Sequence, residues 1–170
     1  MATVQEACLL RDAGLRVPVS VLSPIPSAAA REVASRRLRP SLSCLAAARD
    51  LRRAARDLPG PVLAHVELDT GLGRYGWPLT PAGLDQLQQL AALDGLTVAS
   101  VYTHLSGTSR AELAAQLALF EQGYAKVAAA LGRRPRRHAL ASSALAAQLR
   151  HPATTQLVRP GALLYGLAPC

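Results

Sequence analysis

The sequence has little lysine, few aromatic residues and almost no cysteine. Lys126 is its one lysine against 18 arginines, aromatic residues make up 4% of the chain, and there are 3 cysteines. The odd number and wide spacing of Cys8, Cys44 and Cys170 argue against a disulfide framework or a zinc site, and predict free thiols in a reducing compartment. No apolar run reaches the ~18 residues that cross a bilayer, and no signal peptide opens the chain. A cytoplasmic protein without a membrane partner is therefore expected.

Acidic residues are also scarce, which leaves a net charge of +8 and raises the question of nucleic acid. The arginines cluster at 31–39 and 133–137, as they do on surfaces that bind phosphates. However, the chain carries no nucleic-acid-binding motif and few aromatic residues that could stack on bases. The clusters also fall at the ends of predicted helices, where cations complement the helix dipole. We therefore expect no nucleic-acid partner.

Hydrophobic residues, in contrast, make up 50% of the 170 residues, enough for one domain with a packed core. Their spacing predicts strands at 17–22, 40–43, 61–70, 96–105, 137–141 and 156–158, and helices at 4–13, 28–38, 44–57, 81–93, 110–131 and from 143 to about 150. The predicted N-caps are Thr3, Ser27, Thr80 and Ser109. Six strands that alternate with helices predict an α/β protein with a parallel sheet. A flavodoxin-like open sheet fits the same count.

The run 65–76, HVELDTGLGRYG, joins a strand to a glycine loop. Side chains alternate in a strand, so His65, Glu67 and Asp69 share the face opposite the apolar residues. Glycines then free the backbone, and Arg74 brings a cation to the carboxyl end of the strand, where α/β folds place ligand sites. A half-exposed strand and a plain turn would also explain this pattern. A metal site is disfavoured because alternating positions rarely converge on one ion.

Three further strand ends carry polar residues. His104 lies at the end of the fourth predicted strand, Ser142 and Ser143 follow the fifth, and Arg159 follows the sixth. Each alone has a structural explanation: a hydrogen-bonded interior histidine, a helix N-cap and an ion pair. Their order and spacing along the chain are more specific than any of them alone.

Taken in order, the strand ends resemble the signatures of alanine racemases, which use pyridoxal phosphate on a TIM-type barrel. The run DTGLGRYG at 69–76 is similar to that family's DTGMGRxG, YTH at 102–104 to its Thr-His strand end, HALASSA at 138–144 to its HxxNSA block, and VRPG…YG at 158–166 to a matching signature. The resemblance implies a fragment that covers the middle and end of the N-terminal barrel domain. Residues 1–170 would form a single partial (β/α)8 barrel of about six βα units with outer helices, and the C-terminal β domain would be absent.

The resemblance also implies contacts with pyridoxal phosphate. Arg159 would face the pyridine nitrogen and keep it unprotonated. Arg74 would approach the phenolic oxygen, and His104 would line the ring and help to position Arg159. The phosphate would be bound at a helix N-terminus, where the expected groups are the side chains of Ser142 and Ser143, with Ser143 in direct contact, and the backbone N–H groups of Gly161 and Ala162.

Glu67 departs from the family, because many members carry a lysine there that becomes carbamylated. A carbamate is a carboxylate on a long stem, so Glu67 is expected to form a charge-assisted hydrogen bond with Arg74 and orient it, with Asp69 in support. Gln116 and Phe120 match a recurring Gln-x-x-x-Phe of the family and are interpreted as packing residues.

The resemblance places the Schiff-base lysine and the opposing tyrosine base outside this chain, and Lys126 falls mid-helix, where a solvated lysine is expected. The parent protein is expected to interconvert L- and D-alanine, for cell-wall peptidoglycan, as a homodimer. The 170 residues alone are expected to be inactive. A truncated, non-catalytic α/β protein with at most residual phosphate or cofactor binding, and a distinct small α/β binding protein, remain alternatives. Exposed edges are expected at strand 17–22 and at the strand before Arg159.

Overall fold

The computed structural model describes residues 1–147 and 156–167. The strands, in chain order, are β1 Ser20–Val21, β2 Arg39–Leu42, β3 Val62–Asp69, β4 Trp77–Pro78, β5 Leu96–Tyr102 and β6 Arg136–His138. The helices are α1 Val4–Asp12, α2 Ala30–Ser35, α3 Leu45–Ala55, α4 Pro81–Ala91, α5 Arg110–Ala130, α6 Ser142–Ala146 and α7 Gly161–Leu164, and a 3-10 turn at Ser27–Ala29 precedes α2. None of the described helices is both long and apolar enough to cross a membrane.

The strands form one sheet in the order β1-β2-β3-β5-β6, and the short β4 pairs with the end of β3. Every strand pair is parallel, and helices carry the chain back between neighbours in the order β1-β2-β3-β5-β6. The predicted α/β architecture is therefore confirmed. The sheet is not closed, and β1 lies at one end of its order, as predicted for strand 17–22.

Three elements differ from the sequence prediction, and one of them is α7, a four-residue helix that was not predicted. Residues 156–158 form no strand, and Arg159 makes only an isolated parallel bridge to Ala141. Pro160 follows at once and has no N–H to continue a ladder. In addition, β4 was not predicted, because two residues are too few for a periodic pattern. The end of the predicted helix at 148–150 lies outside the described residues.

Three of the four N-caps that the sequence predicts are formed. Thr3 and Ser109 each form a complete capping box, and the Thr80 hydroxyl caps α4. Ser27 does not cap a helix; its hydroxyl donates a hydrogen bond to Asp50 on α3. Ser27 is the first residue of the 3-10 turn, and Ala29 takes the N-cap position of α2 without a side-chain hydrogen bond.

The hydrophobic core lies between the helices and one face of the sheet. Val62, Ala64, Val66 and Leu68 of β3 are all buried. A Cβ atom placed at Gly123 of α5 would lie 2.9 Å from Leu68 Cδ1, so α5 packs directly on this face. The alternate residues of β3 therefore point away from the helices, to the face that we call the interior face.

Candidate active site

A bulge in β5 determines which side chains meet on the interior face. β3 pairs with β5 at Ala64↔Val98 and then at His65↔Ser100, so the register skips Ala99. Without this skip His65 would pair with Ala99. The extra residue brings the Ser100 hydroxyl opposite the His65 ring instead, which is how bulges commonly redirect side chains near functional sites.

Polar side chains from four strands meet on the interior face in two registered rows. All of them are buried, and buried polar groups are costly unless they are hydrogen-bonded. The first row contains Ser41, His65 and Ser100, and the second contains Glu67, Tyr102 and His138. We call these six side chains the interior polar cluster.

Ser100 joins the two histidines of the cluster. Its Oγ lies 2.7 Å from His65 Nδ1 and 3.1 Å from His138 Nε2. Burial, with the charges of Arg39 and Arg159, lowers the pKa of His65 to about 4, and burial, with the charge of Arg159, lowers that of His138 to about 3. Both rings are therefore neutral at pH 7, and each has one donor and one acceptor nitrogen.

Tyr102 connects the two rows. Its hydroxyl lies 2.9 Å from both Glu67 Oε2 and Ser41 Oγ, and its ring stacks on His138 with centroids 5.0 Å apart. Burial and the Glu67 charge raise the pKa of Tyr102, so the phenol keeps its proton and donates it to the carboxylate. Burial also raises the pKa of Glu67, although the hydrogen bond from Tyr102 and two arginine charges oppose this.

The predicted hydrogen bond between Glu67 and Arg74 is wrong. The Glu67 carboxylate binds Tyr102, and the Arg74 guanidinium lies over the Tyr75 ring, 5.3 Å from its centroid. A glutamate is shorter than a carbamylated lysine, so its carboxylate ends beside the neighbouring strand. Arg74 still influences the Glu67 carboxyl through its charge.

Arg159 lies against the cluster beside the carboxyl ends of β5 and β6. Nη1 donates to His138 Nδ1 at 2.5 Å and to the His138 carbonyl at 3.1 Å, and Nη2 donates to the carbonyl of Thr103 at 2.7 Å and, more distantly, of Ala139 at 3.5 Å. The guanidinium carbon lies 5.1 Å from the centroid of the Tyr102 ring. The described residues offer no hydrogen-bond acceptor to Nε–H. One donor of a firmly held guanidinium is therefore left for a ligand.

His104 lies within the influence of both predicted arginines. Burial lowers its pKa, and the charges of Arg159 and Arg74 lower it further. The preceding residue is fixed by a 2.8 Å hydrogen bond between the hydroxyls of Thr103 and Thr70, which ties the end of β5 to the end of β3. The structure thus brings together the strand ends after β3, β5 and β6.

Asp69 organises the glycine loop that carries Arg74. Its Oδ1 accepts hydrogen bonds from the N–H groups of Gly71 at 3.0 Å and Gly73 at 3.1 Å. Gly76 has a φ of +108°, and a Cβ there would lie 2.8 Å from Asp69 N, so only glycine fits. Arg74 itself is exposed. The loop backbone is therefore fixed while the arginine side chain is not.

Gln116 does more than the packing predicted for it. Its Oε1 accepts from the N–H groups of Ser106 at 3.0 Å and Gly107 at 3.2 Å, and its Nε2 donates to Ser106 Oγ at 2.9 Å. A Cβ at Gly71 would lie 3.2 Å from the same Nε2. One glutamine therefore holds the loop after β5 close to the glycine loop. Phe120 is fully buried, as predicted.

The two serines at the start of α6 have different surroundings. Ser142 is buried, and its Oγ accepts the N–H of Leu163 at 3.3 Å, whereas Ser143 is partly exposed. Neither serine is the N-cap residue of α6. The N–H of Gly161 donates to the Arg159 carbonyl at 2.9 Å. Ser142 therefore contacts α7, and the expected contact of Ser143 with the phosphate stays a prediction.

Comparison with known proteins decides the family. Residues 1–169 match the family model described as alanine racemase, N-terminal domain. The chain belongs to this family. The alanine racemase of Symbiobacterium thermophilum is 35% identical over 176 residues, which cover 99% of this chain and 45% of that protein. The solved alanine racemase of Streptomyces coelicolor A3(2) is 31% identical with a TM-score of 0.83 and is matched over 99% of this chain and 46% of its own.

A second solved structure extends the likeness of the fold. The alanine racemase of Clostridium difficile 630 has a TM-score of 0.85 at 22% identity, over 99% of this chain and 44% of its own. This chain spans less than half the length of the curated relatives that it matches. The recognition of part of an alanine racemase barrel from the strand-end motifs is therefore confirmed.

The one lysine of this racemase-family chain lies away from the candidate site. Lys126 is exposed on α5, and α5 packs on the helix-facing side of the sheet. The 170 residues contain no other lysine. The side chains at the carboxyl edge therefore include arginines, a histidine and serines, but no amine.

Sequence reasoning missed Ser41 and Ser100 of the interior polar cluster, and it named His138 only as part of a motif. A signal was present for Ser100, because it alternates with Tyr102 on one strand as His65 does with Glu67 on another. The bulge at Ala99 that sets them opposite each other leaves no pattern in the sequence.

Proposed function

We propose that this chain is the cofactor-binding part of an alanine racemase barrel, whose complete protein binds pyridoxal phosphate and interconverts L- and D-alanine. One observation carries the proposal. Arg159 is held by four hydrogen bonds at the carboxyl edge of the sheet, and no residue in 1–147 or 156–167 accepts its Nε–H. A fixed cationic N–H suits a ring nitrogen that has to accept a hydrogen bond.

The donor set fits the two ends of pyridoxal phosphate. Arg159 would donate Nε–H to the pyridine nitrogen and, because a guanidinium does not release its proton in proteins, would keep that nitrogen unprotonated. Ser142, with Ser143 beside it, and the backbone N–H of Ala162 would bind the phosphate, joined by the N–H of Gly161 once it leaves the Arg159 carbonyl. When bound, the cofactor supplies the conjugated ring that withdraws electrons from the substrate carbon.

The groups around the ring have separate tasks in this proposal. Arg74 would turn from Tyr75 towards the phenolic oxygen of the cofactor, and its exposure leaves it free to do so. His104 is neutral because burial and two cations lower its pKa, so it would line the ring without adding charge. Glu67 and Asp69 would support the site, Glu67 through Tyr102 and Asp69 through the glycine loop.

Racemisation requires bases on both faces of the substrate carbon, so that a proton removed from one face can be returned on the other. The cofactor also requires an amine within reach, and Lys126 is exposed on α5. We therefore propose that the 170 residues alone bind the cofactor weakly and do not racemise alanine. The expected complete protein is a cytoplasmic homodimer that supplies D-alanine for peptidoglycan, and the free thiols Cys8 and Cys44 suit that compartment.

A chimera tests the function of the complete protein. Residues 1–169 would replace the matched segment of the Streptomyces coelicolor alanine racemase, and conversion of L- to D-alanine would be measured. We expect racemisation, and a loss of roughly a hundredfold or more in kcat for Arg159→Met, as for removal of one preorganised electrostatic donor. A chimera that folds and binds pyridoxal phosphate but does not racemise would contradict the proposal.

A second experiment tests the 170-residue chain by itself. The chain would be incubated with pyridoxal phosphate and borohydride, and any modified residue located by mass spectrometry. We expect no adduct at a strand end and no racemisation above background, while equilibrium dialysis detects binding that Arg159→Met weakens. Racemisation by the 170 residues that is lost in Arg159→Met would mean that another residue takes the place of the lysine.

A further inference from the structure

The hydrogen bonds of the interior polar cluster run in one direction. Arg159 can only donate, so its 2.5 Å contact with His138 requires a bare Nδ1 on that ring. A neutral His138 must then carry its proton on Nε2 and donate it to Ser100 Oγ at 3.1 Å. One arginine thus selects the tautomer of a histidine on the neighbouring strand.

The same argument extends to the next histidine. Ser100 accepts from His138, and its own proton is therefore available to His65 Nδ1 at 2.7 Å. His65 must in turn carry its proton on Nε2, which lies 3.4 Å from Ser20 Oγ on β1. The relay Arg159–His138–Ser100–His65–Ser20 crosses the sheet from one end of its order to the other with a single assignment of protons.

The relay also acts in the opposite direction, on Arg159. If Ser100 did not accept from Nε2, the proton of His138 could move to Nδ1, and two donors would then face each other at the shortest contact of the guanidinium. The position of His138 is otherwise set by stacking on Tyr102, which does not distinguish the tautomers. Ser100 and His65 are therefore placed to keep His138 Nδ1 bare.

We propose that Ser100 and His65 are positioning residues that hold the Arg159 guanidinium, through the tautomer of His138, with its Nε–H directed to a ligand acceptor. Neither residue is among the groups expected to touch the cofactor. The identity of the ligand acceptor as the pyridine nitrogen rests on the proposed function, but the tautomers do not. A purely structural role would satisfy the same polar groups but would not require one tautomer. The proton positions therefore separate the two explanations.

The test is NMR of the printed chain with 15N-labelled histidine and arginine, without any cofactor. Two-bond correlations between ring protons and nitrogens assign each tautomer. We expect Nε2–H for both His138 and His65. A His138 that carries its proton on Nδ1 in the unaltered chain would overturn the proposal without the need for any variant.

Variants then test the coupling. In Ser100→Ala we expect a mixture of His138 tautomers and roughly tenfold faster solvent exchange of the Arg159 Nε–H, the size of effect expected for one lost hydrogen bond. Ser100→Thr, which keeps the hydroxyl, should restore both values. Ser41→Ala is the matched control, because Ser41 lies in the same row and, among the described residues, its hydroxyl bonds to Tyr102 and to neither histidine.

Two results would overturn the coupling: unchanged His138 and Arg159 signals in Ser100→Ala, or equal changes in Ser41→Ala. If Ser100→Ala does not fold, Ser20→Ala removes the far end of the relay instead, and a loss of the single His65 tautomer is expected. A single, unchanged His65 tautomer in Ser20→Ala would count against the proposal. These readouts do not depend on cofactor binding, so the proposal and the proposed function fail separately.

Discussion

Arg159 and Arg74 were both predicted to bind the same cofactor, yet their surroundings differ. Arg159 makes four hydrogen bonds to His138, Thr103 and Ala139 and lies over a buried tyrosine. Arg74 is exposed, and the structure gives its guanidinium one ring contact, with Tyr75. The sheet thus preorganises Arg159. The backbone of Arg74 is held by the glycine loop, but its guanidinium is not held.

The difference shows which part of a cofactor site this chain can form by itself. The groups that hold Arg159 come from β5, β6 and their loops, all within the described residues. Preorganisation lowers the entropic cost of binding, so the region of Arg159 should recognise a ring nitrogen without help. Arg74 should need the ligand, or parts of a complete protein, to become ordered.

The largest expected effect is that of pH on the Arg159 region. The pKa values of His65 and His138 are lowered to about 4 and about 3, so the unfolded chain binds more protons than the folded chain below pH 6.5. The free energy of unfolding should therefore decrease as the pH is lowered, by about 4 kcal/mol from pH 6.5 to pH 4.5 for the two rings together. Urea unfolding at several pH values measures this. If the free energy of unfolding depended on pH equally steeply in His65→Gln, the pH effect could not be assigned to these rings.

Arg159→Met should lower the free energy of unfolding by about 3 kcal/mol, because several charge-assisted hydrogen bonds are lost and the carbonyls of Thr103 and His138 lose a donor. Urea unfolding at pH 7 is the measurement. Arg74→Met removes the same charge and the same number of side-chain atoms, so it is the matched control. Equal losses for the two variants would erase the difference between the arginines.

Substitutions of Glu67 test whether its carboxylate acts through the hydrogen bond from Tyr102 or through its charge on Arg74. Glu67→Leu should cost about 1–2 kcal/mol, because the Tyr102 hydroxyl loses its acceptor. Glu67→Gln keeps an acceptor and removes a buried charge, so its stability should stay within about 0.5 kcal/mol of the unaltered chain. If Gln proved as damaging as Leu, the negative charge itself would matter, as in a bond to Arg74.

The smallest expected effect is that of Arg74→Ala on stability. An exposed side chain with one ring contact should contribute less than about 0.5 kcal/mol. In the chimera with the Streptomyces coelicolor enzyme, the same substitution should still reduce racemisation. A loss of more than 1 kcal/mol in the printed chain, measured by urea unfolding, would indicate that the loop needs Arg74 to fold.

Local rules and motifs could be read from the sequence. The alternation in β3, the caps at Thr3, Thr80 and Ser109, and the order of strands and helices follow from local chemistry, and the family follows from motifs at strand ends. The pattern of β3 also places Glu67 correctly on the interior face. These features depend on residues that are neighbours in the chain.

Contacts between distant residues could not be read in this way. Glu67 binds Tyr102, 35 positions away, because its side chain is too short for the role of a carbamylated lysine. Ser142 accepts the N–H of Leu163, 21 positions away, and this contact depends on how two short helices are oriented. The relay through Ser100 depends on a bulge at Ala99, and no sequence pattern announces a single skipped pairing.

The rotation of the two guanidinium groups tests the central comparison most directly. In the printed chain with 15N-labelled arginine, the Nη signals would be assigned with Arg159→Lys and Arg74→Lys, and their exchange measured by NMR. The account predicts slow rotation about the Cζ–Nε bond in Arg159, with separate Nη signals, and fast averaging in Arg74. Fast averaging in both, or slow rotation in both, would contradict the claim that the sheet holds one arginine and leaves the other free.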